Sequence, residues 1–248
     1  MEKTSHLGMN RTGVDMSPMH SKAMLEGAER VPGDVEANQM LATRRQEMIM
    51  EAGTIGSVPM PGTLKGALSS VMKKATGKSP ETFINKLGER LAFERMGVRL
   101  YEALITKCET LANQQVGAVF TIDDLRRIRA DEARHFQLVH DAITSIGADP
   151  TAQTPDADVS AVLSSGVLKV ITDIRTTVPQ SLEAILTAEL ADTAAWELLV
   201  QMAEAMGMSD MAASFREALE QEERHILQVK QWYTQLMTFE AGGKTTRH

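Results

Sequence analysis

Four long segments of this chain have the periodicity of amphipathic helices, and each carries polar, ligand-type side chains in the middle of its apolar face. The segments are residues 80–112, 121–147, 179–207 and 209–239. Apolar residues recur in them at spacings of three, four and seven, which is typical of a helix that buries one face. The interrupting residues are Glu94, Glu132 with His135, Glu189, and Glu222 with His225. A buried acid needs a compensating charge, so this pattern restricts how the four helices can pack.

Capping signals mark the ends of these helices. Ser79-Pro80-Glu81 is an N-cap followed by a proline and an acid in the first turn, and Thr121 begins the next helix in a similar way. Gly147 ends that helix, and a loop over residues 148–158 follows it. Residues 159–177 can form a further helix before Pro179 opens the third long segment. The sequence therefore predicts an all-α four-helix bundle with one long crossover connection, which is the ferritin-like arrangement.

The first part of the chain differs from the rest, because it is rich in Met, Gly and Pro and has no long periodic segment. We interpret residues 1–78 as an N-terminal helical extension, residues 79–240 as the bundle and residues 241–248 as a flexible tail. Within the extension, Asp34 can cap a helix that ends at Gly53, and a second short helix can follow as far as Gly77. Such an arm is expected to pack on the bundle or on a neighbouring subunit.

Composition excludes several classes of protein. The net charge of −7 and the pI near 5.4 argue against nucleic acid or an anionic membrane as the main partner. The single cysteine, Cys108, excludes an internal disulfide framework and a four-thiolate metal site, and we expect it to be a small buried apolar residue. No signal-peptide pattern and no apolar run of roughly 18 residues is present. We therefore expect a cytoplasmic protein.

Packing of the four helices through these faces would bring four carboxylates and two imidazoles to one level of the core. Uncompensated buried carboxylates are strongly destabilising, and the apolar faces offer no Lys or Arg. Arg95, Arg134 and Arg224 lie beside the ligand positions and not on the face. Two divalent cations bridged by carboxylates would solve this problem.

An internal repeat supports the same interpretation. The stretch from Glu132 to Val139 matches the stretch from Glu222 to Val229, with Glu-x-Arg-His at the start of both. The seven-residue spacing from Glu94 to Tyr101 recurs between Glu189 and Trp196. The first helix pair thus resembles the second pair, as a pseudo-twofold dimetal site requires.

The order of these motifs resembles the ferritin-like dimetal-carboxylate superfamily, which includes ferritins, rubrerythrins and manganese catalases, over about residues 80–240. The resemblance implies that Glu94 and Glu189 are the single ligands, while Glu132 and Glu222 are bridging ligands. It also implies that His135 and His225 are the terminal imidazoles. Tyr101 matches a tyrosine that neighbours the metals and can be redox-active in that family. A plain core aromatic remains the alternative for Tyr101.

Three further polar residues lie near these positions. Asp192 is either a solvated acid or an additional acceptor or ligand, and Asp131 and Gln221 can accept hydrogen bonds from the imidazole N–H groups.

The ligand types favour two iron ions, with manganese possible. We expect a non-haem dinuclear iron protein that reacts with dioxygen or peroxide as a ferroxidase or oxidoreductase. An external electron donor is expected, because one cysteine cannot form a rubredoxin-type module. Peroxide dismutation of the manganese-catalase type is one alternative, and a non-enzymatic iron-binding or structural bundle is another. Acidic helical bundles of this kind are often homo-oligomers.

Overall fold

The computed structural model of the protein describes residues 18–31, 33, 35–59, 80–111 and 114–242. These residues form eight helices and no strand. The helices are α1 (Pro18–Arg30), α2 (Val35–Glu51), α3 (Pro80–Leu111), α4 (Gln114–Val119), α5 (Ile122–Ser145), α6 (Pro155–Thr172), α7 (Val178–Ala205) and α8 (Ser209–Glu240). The all-α class predicted from the sequence is confirmed for this part of the chain.

The four long helices predicted from periodicity correspond to α3, α5, α7 and α8. The predicted connecting helix is α6, but it begins earlier and ends earlier than expected, because Pro155 occupies its first turn and Asp173 caps its end. Helices α1 and α4 are not among the sequence predictions. The helix predicted between Pro61 and Gly77 lies outside the described residues, as does the Asp34 cap.

Capping boxes fix the starts of α5 and α7. At the start of α5, the Thr121 hydroxyl accepts from the backbone N–H of Asp124, and the Asp124 carboxylate accepts in return from the backbone N–H of Thr121. Thr177 and Gln180 form the same reciprocal pair at the start of α7. These caps set where each helix begins and so which residues it presents to the core.

The contacts between the helices give their directions. Helix α3 packs against α5, α6 and α7, and α8 packs against α7, with further contacts to α4 and α5. Side-chain contacts join Tyr101 to Glu189 and Lys107 to Ser181, so α7 runs antiparallel to α3. Helix α6 starts beside Asn85, and its end is held by Lys107, so it runs parallel to α3.

Two apolar layers form the core of this region. One contains Leu104, Leu125 and Trp232, and the other contains Leu87, Trp196 and Phe215. On each of α3, α5, α7 and α8, the predicted ligand positions fall between residues of one layer and residues of the other. A polar layer is therefore enclosed by apolar side chains on both sides.

The chain divides into two compact units, residues 1–54 and 55–248. In the first unit, the methionine, leucine and isoleucine side chains of α1 and α2 are exposed, including Met19 at 85% and Met50 at 86%. The domain boundary predicted between residues 78 and 79 lies outside the described residues and stays a prediction. Among the described helices, none is long and apolar enough to cross a membrane.

Candidate metal centre

The structure brings the six predicted ligand residues together. Glu94 and Glu222 are fully buried, and the most exposed of the six, Glu189 and His225, are each 4% exposed. The His135 and His225 rings lie 6.2 Å apart between centroids. The Nδ1 atom of His135 lies 2.6 Å from Glu222 Oε1, and that of His225 lies 3.5 Å from Glu132 Oε1. Residues from four helices therefore share one buried layer.

Five of the six predicted ligand residues each direct one buried atom into this layer without a hydrogen-bond partner in the described part of the chain. These atoms are Glu94 Oε2, Glu132 Oε1, His135 Nδ1, Glu189 Oε2 and Glu222 Oε1. Although some of them lie within ion-pair distance of each other, their geometry does not form hydrogen bonds. Orphaned buried polar atoms are costly, so a convergent set of them calls for a shared positive partner.

The other oxygen of the two single glutamates is held by an aromatic donor. The Trp196 indole N–H donates to Glu94 Oε1 at 2.9 Å. The Tyr101 hydroxyl donates to Glu189 Oε1 in a short hydrogen bond. Each donor lies seven residues after the glutamate of its own helix and contacts the glutamate of the facing helix. These contacts orient both carboxylates.

The imidazoles are oriented by partners on the opposite helix. His135 Nε2 lies 2.9 Å from Gln221 Oε1, and His225 Nε2 lies 3.3 Å from Asp131 Oδ2. Both oxygens accept, so each ring carries a proton at Nε2 and turns Nδ1 towards the buried layer. The sequence suggested Asp131 and Gln221 as acceptors, but periodicity alone did not reveal that each would serve the histidine of the other helix.

The expectation that the apolar faces lack a basic residue is wrong. Arg90 is 2% exposed, and it forms ion pairs with Glu94 at 3.0 Å and with Asp192 at 2.6 Å. Its guanidinium also stacks on the Phe93 ring at 4.3 Å. The four-residue spacing of Arg90 from Glu94 was a signal for this pair. Of the two alternatives for Asp192, the solvated acid is excluded, because this residue is 2% exposed.

A glycine provides the space for one of the carboxylates. A Cβ added at Gly97 would lie 2.2 Å from Glu132 Oε2 and 3.0 Å from the carboxyl carbon Cδ. The Glu132 side chain therefore packs directly on the α3 backbone. Sequence reasoning did not identify Gly97, although a glycine in the middle of a long helix is unfavourable by about 1 kcal/mol and indicates a packing requirement.

Burial perturbs the acids of this layer. It raises the pKa of Glu94 well above its usual range, and the Asp192 carboxylate raises it further, while Arg90 has the opposite effect. Burial and the neighbouring Glu222 likewise raise the pKa of Glu132, and they raise that of Glu189 to about 8. If these acids were all ionised, the layer would carry more negative charge than Arg90 alone can balance.

Glu222 and His225 form the ionised centre of the layer. Burial opposes ionisation of Glu222, but the adjacent imidazoles of His135 and His225 lower its pKa to about 2. Burial also disfavours the charged form of His225, but the adjacent carboxylates of Glu132 and Glu222 raise its pKa to about 10. The proton on His225 therefore provides part of the positive charge that a bound cation would provide instead.

Three overlapping sets of ligand atoms could each hold a metal ion, with every atom of a set within 4.8 Å of the others. The first set comprises Glu132, Glu189, Glu222 and His225. The second comprises Glu94, His135 and Glu222. The third comprises Glu94, Glu132, Asp192 and Glu222. Glu222 belongs to all three, so it lies between the possible positions.

Cys108 lies outside these sets. Its side chain is buried in the apolar layer that contains Leu104, and burial raises the pKa of its thiol to about 12. The expectation of a small buried apolar residue is confirmed.

Comparison of the chain with models of protein families, with curated proteins and with solved structures gave no match.

Proposed function

We propose that this protein is a non-haem dinuclear iron protein that reacts with dioxygen or peroxide. The observation that carries the proposal is the set of buried, unpartnered ligand atoms in one enclosed layer. Three of these side chains, Glu94, Glu189 and His135, are anchored through their other polar atom. This arrangement is typical of a metal site, in which outer hydrogen bonds hold the ligands in place.

We further propose that α3, α5, α7 and α8 form a ferritin-like four-helix bundle with α6 in the long crossover. The contacts of α3 with α5 and α7, and of α8 with α5 and α7, support a closed ring of four helices. Helix α6 packs on α3 and α7 and connects α5 to α7, as a crossover would. In such a bundle, metal ligands project inward from facing helices.

The buried charges support two dications. The ionisable acids of the layer are Glu94, Glu132, Glu189, Asp192 and Glu222. These five carboxylates and the guanidinium of Arg90 leave four negative charges when every acid is ionised. Two divalent cations balance this charge with neutral imidazoles. Hard carboxylates combined with imidazoles suit iron, with manganese as the alternative.

A bound pair of iron ions would supply one-electron redox chemistry towards dioxygen or peroxide. The protein's residues have other tasks. The apolar layers exclude water from the ligands. Tyr101 keeps its proton, because burial and the nearby Glu189 raise its pKa well above the usual range. Its hydroxyl fixes one oxygen of Glu189 and is a proton donor next to the ligands. We propose that the redox role predicted for Tyr101 belongs to this hydroxyl, next to the candidate ligands.

An external electron donor completes the proposal, because Cys108 is the single cysteine of the chain and is buried. The predicted cytoplasmic location and a homo-oligomeric state also belong to the proposal. The exposed apolar side chains of α1 and α2 support a subunit contact. Light scattering during gel filtration measures the molar mass in solution, and a single-chain mass would contradict the oligomer.

Metal analysis tests the site. Protein purified without chelators is expected to contain close to two iron ions per chain, and the double variant Glu132→Ala, His135→Ala is expected to lose them. The matched control is the double variant His140→Ala, Asp141→Ala, which removes an exposed imidazole and an exposed acid from the same helix. This control should retain the metal content of the unchanged protein. Absence of metal after anaerobic loading with ferrous iron would refute the proposal.

Turnover measurements separate the alternatives. Consumption of dioxygen or peroxide that depends on ferrous iron or a reductant supports the diiron proposal. Manganese in the protein, together with evolution of dioxygen from peroxide without a reductant, would indicate dismutation instead. Stable iron binding without turnover would indicate a binding or structural protein.

A further inference from the structure

The two halves of the site can be compared position by position. When Glu94 of α3 is aligned with Glu189 of α7, Tyr101 aligns with Trp196. Each of these aromatic residues donates to the glutamate of the opposite helix. The contacts are therefore related by the same pseudo-twofold pattern as the ligands.

The symmetry is broken on one side by two buried charges. Arg90 lies four residues before Glu94, where α7 has the apolar Ile185. Asp192 lies three residues after Glu189, where α3 has Gly97. Arg90 and Asp192 pair with each other at 2.6 Å, and both are 2% exposed. One end of the buried layer thus holds a fixed ion pair, and the corresponding positions at the other end hold Ile185 and Gly97.

This ion pair affects Glu94 directly. Glu94 Oε1 lies 3.0 Å from Arg90 Nε and also accepts from the Trp196 indole N–H. Glu189 Oε1 accepts from the neutral Tyr101 hydroxyl. The Oε2 atom of each glutamate has no hydrogen-bond partner within the described residues, so the two differ in the groups that contact Oε1. A guanidinium beside a carboxylate lowers the attraction of that carboxylate for a second cation.

The ligand sets differ in the same direction. We call the set of Glu132, Glu189, Glu222 and His225 the Glu189 position, and the set of Glu94, His135 and Glu222 the Glu94 position. The Glu189 position combines three carboxylates with one imidazole, whereas the Glu94 position has two carboxylates, one of which is paired with Arg90. The third set joins Glu94 and Glu222 to Glu132 and Asp192, but two of its four carboxylates, those of Glu94 and Asp192, are paired with Arg90.

We propose that Arg90 makes the two metal positions unequal, so that a divalent cation occupies the Glu189 position first and the Glu94 position second and more weakly. This inference rests on the proposed dimetal function. Arg90 acts as a positioning residue: it holds Glu94 and Asp192 and provides a permanent positive charge at one end of the layer.

Cobalt(II) titration of the chelator-treated full-length protein tests the order of binding. Calorimetry and the visible absorption of the bound ion should resolve two dissociation constants that differ by about tenfold or more. Glu94→Gln and Glu189→Gln form a matched pair, because each replaces the single glutamate of one helix and keeps an oxygen for its aromatic donor. We expect Glu94→Gln to keep the tight step and lose the weak one, and Glu189→Gln to lose the tight step.

Other results of this titration would overturn the inference. Two equal dissociation constants, or loss of the tight step in Glu94→Gln, would mean that the positions are equivalent or occupied in the reverse order. Failure of the unchanged protein to bind cobalt(II) would refute the proposed function itself, and the inference with it. The two failures are distinguishable. Failure of the inference leaves two cobalt(II) ions bound but changes their dissociation constants or order, whereas failure of the proposed function leaves no cobalt(II) bound.

The double variant Arg90→Gln, Asp192→Asn tests the cause. It removes the ion pair without changing the net charge, and the two amides can hydrogen-bond to each other. We expect the weak dissociation constant to fall by about tenfold or more, because Glu94 loses its guanidinium partner. An unchanged constant would overturn the role of Arg90, and a weaker second step would show that Asp192 is itself a ligand. The glutamate pair tests the order of binding independently of whether this variant folds.

Discussion

At the scale of single residues, a substitution at Gly97 should change metal affinity and helix stability in different ways. The substitution Gly97→Ala would place a Cβ 2.2 Å from Glu132 Oε2, so the carboxylate must move away from the cluster. We expect metal affinity to fall by about 10-fold to 100-fold, as for other changes that displace a ligand. Alanine is also the better helix former by about 1 kcal/mol, which offsets the steric cost. The free energy of unfolding of the metal-free protein should therefore change less than the free energy of metal binding does.

Gly166 provides the control for this change. It lies inside α6, and a Cβ added there meets no atom within 4 Å among the described residues. Gly166→Ala should leave metal affinity unchanged. Cobalt(II) titration and thermal unfolding of both variants measure the two effects separately. Equal metal affinity in Gly97→Ala and the unchanged protein would show that Glu132 is not a ligand.

Tyr101 offers a second test at this scale. The substitution Tyr101→Phe keeps the ring but removes the hydroxyl that donates to Glu189. A buried hydrogen bond between neutral groups contributes about 0.5–1.5 kcal/mol, and we expect the free energy of unfolding of the metal-free protein to fall by about that amount at neutral pH. Both metal positions should remain, because Glu189 keeps its free oxygen. Urea unfolding and metal analysis check the two statements.

The other tyrosine of the chain is the matched control. Tyr233 is partly buried against the same apolar layer, on α8. Tyr233→Phe should change the free energy of unfolding by less than Tyr101→Phe does. If the two variants are equally stable, the contact between Tyr101 and Glu189 does not contribute to folding.

The convergence of the six candidate ligand residues in one buried layer could be predicted from the sequence, because a polar residue at regular spacing on an apolar face is visible in one dimension. Arg90 was missed for a physical reason. Its stem and guanidinium are buried by pairing with Asp192, which lies on another helix. Periodicity identifies a face of one helix, but it does not reveal a partner supplied by a different helix. For the same reason, periodicity did not predict that Asp131 and Gln221 would form hydrogen bonds with histidines of another helix.

At the scale of helices, the two capping boxes make a pH-dependent prediction. Hydrogen bonds from the Thr121 backbone N–H and hydroxyl lower the pKa of Asp124. The ionised carboxylate therefore stabilises the start of α5 above the usual carboxyl range, and this contribution is lost as the pH falls through the folded-state pKa. Thr121→Ala should cost about 1 kcal/mol at neutral pH, and its difference from the unchanged protein should shrink below about pH 4.

The cap of α7 is the control, because Thr177 is paired with the uncharged Gln180. Thr177→Ala should cost about 1 kcal/mol at neutral and at acidic pH alike. Urea unfolding at several pH values, followed by circular dichroism, measures both differences. The buried acids between the apolar layers titrate in every variant, so their contributions cancel in the comparison. A pH-independent effect of Thr121→Ala would contradict the role assigned to Asp124.

Caps and periodicity predicted the positions of the four long helices to within a few residues. They did not predict the start of α6 correctly. The sequence favoured a loop as far as residue 158, whereas α6 begins at Pro155. Two contacts with α3 hold this start: the Thr154 hydroxyl donates to the Asn85 carbonyl oxygen, and Lys86 pairs with Asp156. Such tertiary contacts decide the ends of helices that lack a strong local signal.

At the scale of the whole molecule, the buried acids couple metal binding to folding. Five buried carboxylates with one guanidinium destabilise the folded state, and a cation bound to that state offsets the loss of stability. A ligand present at a thousandfold excess over its dissociation constant stabilises a protein by about 4 kcal/mol. We expect the thermal unfolding midpoint to rise when the chelator-treated protein is supplied with ferrous iron or cobalt(II), and to fall again when the ion is removed.

Proton release gives this coupling a direction. Burial and neighbouring carboxylates raise the pKa values of Glu94, Glu132 and Glu189. The carboxylates of Glu132 and Glu222 raise the pKa of His225. These groups therefore hold protons in the metal-free protein, and a bound cation displaces them. Metal affinity should therefore increase with pH across the neutral range. Calorimetric titration in buffers of different ionisation enthalpy measures the protons released for each ion bound. The double variant His140→Ala, Asp141→Ala should behave like the unchanged protein in both experiments, because its changes lie at exposed positions. Stabilisation without proton release would mean that the ion binds elsewhere, since occupation of this layer requires its protons to leave.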